Sequence, residues 1–165
     1  MARSSRRAHW RPALGNYRPN KDITVRKTEI AKVQLEDAIQ LFLCGRCLSA
    51  LTLAGAADGI FSEYLGSRGL QSIAEETWAG IVAVREKTGL AFAGNRTKKE
   101  AFNKWNMDKN RVKHHNKDDE EFVTINYFDA AYEMIQRANA DGEKIGLLAE
   151  NRQEYETWVI ENICT

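Results

Sequence analysis

From position 22 onward, apolar residues recur at intervals of three and four, and no stretch alternates apolar with polar for the length of a strand. Helices are therefore predicted throughout. The first is expected to be capped by Thr28, or to begin nearer Thr24, with Ile30, Leu35, Ala38, Ile39 and Phe42 facing a core and Gly45 as its stop. A second helix runs from a Ser49 cap to about Leu65. Its middle, Leu53 to Gly59, is made of small residues. Gly55 and Gly59 each disfavour a helix by roughly 1 kcal/mol relative to Ala, so both predict close approach of a neighbouring helix. Asp58, inside this run, either faces solvent or is the buried partner of a basic group.

A third helix is expected from about Gln71 to Lys87, ended by Gly89 and followed by a loop over 89–97. The spacings within Asn103 to Asp119 then place Asn110, Lys113, His114 and Asp118 about a turn apart on one helical face. The acidic run Asp118–Glu121 suits the start of the next helix, whose apolar positions include Phe128, Tyr132 and Ile135 and which should stop near Asp141-Gly142. A last helix, about Glu143 to Ile163, carries Tyr155, Trp158 and Val159. The pattern predicts an all-α, single-domain bundle of five to six helices over 24–165, preceded by a flexible basic arm over 1–23.

Composition changes this picture through charge. The net charge of +1 conceals an uneven distribution, because residues 1–21 hold Arg3, Arg6, Arg7, Arg11, Arg18 and Lys21 and no acid. Residues 95–117 carry eight Lys or Arg against two acids, with Phe102 and Trp105 interleaved, whereas 118–165 carry twelve acids against three bases. A basic stretch with aromatics is either a solvated helix face or a phosphate-binding surface. An 18.7 kDa chain buries one core without staples. Three cysteines and no secretory signal predict reduced thiols and a cytoplasmic setting. No apolar run approaches the ~20 residues that span a bilayer, so no membrane partner is expected.

The chemistry on offer is narrow. Cys44-Gly45-Arg46-Cys47 has no second ligand pair for zinc and no βαβ context for redox work, and it reads as a turn between helices. No Glu-x-x-His motif or Gly-rich phosphate loop occurs. His114 with Asp118, or His115 with Asp119, supplies only two metal ligands. Neither a metal nor a cofactor is expected. What remains is metal-independent phosphodiester chemistry: His114 as acid or base with Asn110 beside it, and Lys109, Arg111, Lys113 and Lys117 holding phosphate. The competing reading makes Asn110 and His114 partners of buried groups and the lysines merely solvated.

Asn110-x-x-Lys113-His114-x-x-Lys117-Asp118, Ser49 to Ala57, Lys32 to Ile39 and Phe128-Asp129-Ala130 together resemble a family of small, uncharacterised bacterial all-helical proteins, over roughly 28–140. More distantly the chain is similar to the HEPN group of helical bundles, whose members dimerise to form an RNA-cleaving cleft or bind partner proteins. HEPN proteins place a His four to six residues after an Arg. Here two residues separate Arg111 from His114 and three separate it from His115. The resemblance implies a dimeric module that binds a partner protein or nucleic acid; a ribonuclease using Asn110 and His114, or a structural scaffold, are the alternatives. Tyr155, Trp158 and the small-residue helix are the expected dimer contacts.

Overall fold

Helices α1 (Lys27–Leu43), α2 (Cys47–Ser67), α3 (Ile73–Thr88), α4 (Lys98–Lys113), α5 (Tyr127–Lys144) and α6 (Arg152–Asn162) follow one another, with no strand among the described residues. The computed structural model describes residues 22–91, 94–114 and 121–163. The all-α bundle predicted from the periodicity is what the chain forms. The basic arm up to Lys21, together with His115, Lys117, Asp118, Asp119 and Cys164, lies outside the described residues.

α2 is the central element, packed between α1 and α5. Its small residues allow this: Ala50, Ala54 and Ala57 are fully buried beside Leu51, Phe61 and Leu65. Gly55 is a close-approach position, but what meets it is the aliphatic stem of Lys109, with Cδ 3.1 Å from where a Cβ would stand. Gly59 is different. Nothing lies within 4 Å of a Cβ built there, so the expectation of close packing holds for one of the two glycines.

The ends of the helices depart from the sequence reading in instructive ways. Thr28 is buried in the first turn of α1 and does not cap it; Arg26 occupies the cap position without a side-chain bond. α2 begins at Cys47, two residues before Ser49, because Gly45 (φ 76°) turns the chain at once. The N–H of Gly45 reaches Phe42 O at 2.8 Å and that of Arg46 reaches Leu41 O at 2.8 Å, which satisfies the last carbonyls of α1. Burial pushes the Cys47 thiol up, away from a reactive thiolate. The CxxC is a helix–helix turn, as expected.

α5 starts at Tyr127, capped by Asn126, whose side chain accepts from Asp129 N, and not at the acidic run. It continues through Asp141-Gly142 to Lys144, and the stop is Gly146 (φ 73°). Leu147 N then returns to Gly142 O at 2.9 Å. Accordingly α6 starts at Arg152 and not near Glu143. It is held on α1 by aromatic packing: Phe42 lies 5.2 Å from Trp158 and 5.7 Å from Tyr155, both edge-on. Tyr155 is wholly buried, with its hydroxyl pKa raised by that burial. Tyr155 and the Ala50, Ala54 and Ala57 side of α2 belong to the protomer's own core, whereas Trp158 and Gly59 keep part of their surface exposed.

Candidate functional site

α4 carries most of the residues singled out by sequence. Thr97 opens it with a capping box: its hydroxyl accepts Glu100 N, and the Glu100 carboxylate accepts the N–H of Thr97 at 2.8 Å. The N–H and hydroxyl of Thr97 hold the Glu100 carboxyl below the usual carboxylate range. Only Ala101 of this helix is buried, and Val112 packs on the core from its last turn. Beside these and the Lys109 stem on Gly55, polar bonds attach the helix. Lys98 pairs with Glu75 of α3 at 2.6 Å, and Arg137 of α5 donates to Trp105 O at 3.4 Å and to Asn106 Oδ1 at 3.3 Å.

The strongest tie is a buried charge cluster. Asp58 of α2 is 2% exposed, and its Oδ2 receives Lys109 Nζ at 2.8 Å and Arg137 NH2 at 3.0 Å. Of the two readings of Asp58, the buried partner is the one formed. A second carboxylate, Asp141 of α5, accepts the N–H of Ile73 at 2.6 Å and so caps α3 from another helix. Burial raises its carboxyl pKa, the Ile73 N–H opposes that rise, and nearby Asp58 adds to it.

The sequence-selected residues therefore separate into two groups. Lys109 is turned inward and its ammonium is taken by Asp58. Asn110, Arg111, Lys113 and His114 are exposed and make no side-chain bond among the described residues. Lys99 and Lys104 are exposed in the same way on the preceding turns. His114 leaves the helix: it is the C-cap, in extended conformation (φ −127°, ψ 142°), with its N–H on Asn110 O at 3.1 Å. His114 therefore stands one turn after Asn110, at the residue where the helix ends. A helix C-terminus carries roughly half a negative charge. Arg111 and Lys113 outweigh it, and the end of α4 remains positive.

Two concavities flank these elements. One, of about 810 Å³, runs along α6 and is lined by Glu150, Glu154 and Glu161, an acidic surface that repels polyanions. The other, of about 390 Å³, lies where α3, α4 and α5 meet, with Trp105, Asp108, Tyr132, Gln136 and Arg137 on its walls and Lys104 also lining it. Asp58, Arg137, Asp108 and Gln136 were not singled out as site residues from sequence. A lone acid within the apolar run 53–59 was the available signal for Asp58. The cleft had none, because its walls come from separate helices, α3, α4 and α5, with Leu51 of α2 among them. Among the described residues no cluster of His, Cys, Asp and Glu suits a metal ion, and no helix is long and apolar enough to cross a membrane. No protein family, curated protein or solved structure was found to match this chain.

Proposed function

We propose that this chain is a non-catalytic binding module whose solvent-facing side of α4 takes the phosphate backbone of a single-stranded nucleic acid. The observation that carries the reading is the set of unpaired cations on that side. Lys99, Lys104, Arg111 and Lys113 are exposed and unpartnered among the described residues; of the two acids on the helix, Glu100 is occupied by its capping box and half-buried Asp108 lines the cleft. Lys99 with Lys113, and Lys104 with Arg111, form two basic rows along the solvent-facing half of α4, and free cations of this kind are what counterion release requires. Self-association into a two-fold dimer belongs to the same reading, supported by the exposed apolar residues Ile23 and Val25 just before α1 and Ile30 and Val33 in its first two turns.

Binding of a short single-stranded RNA, followed by fluorescence anisotropy across a salt series, tests this. Affinity is expected to fall steeply with salt, by a log–log slope of about −0.7 per phosphate contact. Replacing Arg111 and Lys113 together by Ala should flatten the slope by about 1.4 units. An unchanged slope rejects the α4 surface. Loss of strand cleavage on His114→Ala would instead move the reading to a ribonuclease. Sedimentation of the same samples showing only an 18.7 kDa species would reject the dimer.

A further inference from the structure

The cleft between α3, α4 and α5 adjoins the basic side of α4 through Lys104, which faces solvent and also lines the cavity. We propose that this cleft receives one unstacked base of the bound strand, while the strand's phosphates stay outside on the exposed side of α4. The inference rests on the reading of α4 given above and adds the chemical class of its ligand.

Size and chemistry support a base. A volume of about 390 Å³ lies at the small end of ligand pockets, which span roughly 300–1,000 Å³. Trp105, half-buried on the wall, offers an aromatic face for stacking. Asp108 supplies an acceptor and Gln136 both a donor and an acceptor, and neither has a side-chain partner among the described residues. These groups match a base edge that carries an exocyclic amine, as in adenine or cytosine.

Charge excludes the other occupants. Asp108 and Glu133 line the cleft and repel a phosphate from its interior. Arg137, the cation on the wall, does not offset them for a ligand, because its guanidinium is engaged by Asp58, Asn106 and the Trp105 carbonyl. A lysine or arginine side chain from a partner protein would have to pass Lys104 and the cations of α4. A neutral, planar, amine-bearing group meets none of these barriers. Arg111 stands seven residues after Lys104, two turns or about 10.5 Å along the axis, so phosphates on either side of an inserted base would each meet a cation.

The test compares a short oligoadenylate with an abasic ribose-phosphate strand of equal length, both titrated into the full chain at one salt concentration. The oligoadenylate is expected to bind about tenfold tighter, a stacking contribution that Trp105 supplies. An oligouridylate, whose base has no exocyclic amine, should fall between the two. Asp108→Ala combined with Gln136→Ala should bring oligoadenylate down to the oligouridylate level, and Trp105→Phe should retain part of the difference from the abasic strand. Both sites in the double variant are at least partly solvent-accessible, and an unchanged melting temperature confirms the fold. Equal binding of the base-bearing and abasic strands by the unaltered chain overturns the base site while leaving the α4 surface standing. Binding of neither strand overturns both. A lysine-rich peptide that binds the cleft, and is lost with the double variant, also overturns it.

Discussion

Asp141 shows how one side chain can join two helices and carry a pH dependence with it. It is 1% exposed, its Oδ1 holds the first amide of α3, and Lys144 Nζ stands 3.8 Å away. Burial is the largest influence and raises its pKa above the ordinary 3.8. The folded chain therefore keeps this proton to higher pH than the unfolded chain. The stabilising contribution of the group is complete below the unfolded pKa and is lost as pH rises through the folded one. Asp141→Asn retains an acceptor for Ile73 and cannot ionise. On acidification from neutral toward about pH 4, the melting temperature of the unaltered chain should rise relative to that of Asp141→Asn. A flat or opposite trend in paired thermal melts would contradict this. Asp141→Ala, which leaves the Ile73 amide without its acceptor, should lower stability by about 1–3 kcal/mol at neutral pH.

At the scale of elements, two glycines that look alike in sequence behave oppositely. Gly142 lies in the last turn of α5, where an added Cβ would stand 2.7 Å from Leu147 O and 3.3 Å from Phe61 Cε2. The chain after α5 folds back over this point, and backbone does not yield cheaply. Gly80, on the exposed side of α3, has nothing within 4 Å. Gly80→Ala is expected to stabilise by up to about 1 kcal/mol through helix propensity. Gly142→Ala is expected to destabilise by about 1–3 kcal/mol despite the same propensity gain. Denaturant unfolding of the two variants should give shifts of opposite sign, and a stabilised Gly142→Ala would refute the close approach. The same contrast explains which boundaries could be read from sequence. Asp-Gly is a local stop signal, but at 141–142 both residues serve contacts with α3 and with the returning chain, so the helix passes through them to Gly146.

The whole molecule is tied together at Asp58, where α2, α4 and α5 share one carboxylate. Lys109→Met keeps the aliphatic stem and removes the ammonium. It should lower stability by about 1–3 kcal/mol, because half the pairing of a buried charge is lost, while leaving the salt dependence of strand binding unaltered. Lys109→Ala should cost more, since packing over Gly55 goes too. Unfolding curves for both variants, set beside the RNA titration, check this; an altered salt slope in Lys109→Met would return Lys109 to the binding surface. The bundle as such was legible because apolar periodicity is a local property of each helix. The polar interior was not. Lys109 meets its acid 51 residues away in the chain, and Arg137 meets the same oxygen across 79 residues. Two basic residues two positions apart carry the same charge in sequence, yet Lys109 is drawn inward and Arg111 is left outside, and only the packed helices separate them.

Gly55 and Lys109 also have a meaning for how this sequence can change over generations. A methyl group at position 55 would press on the Lys109 stem, which is already 3.1–3.3 Å from that point, and would move the ammonium that Asp58 requires. A shorter residue at 109 would release the space but remove the charge. Drift at either position is therefore conditional on the other two, and the three residues behave as one heritable unit spread over two helices.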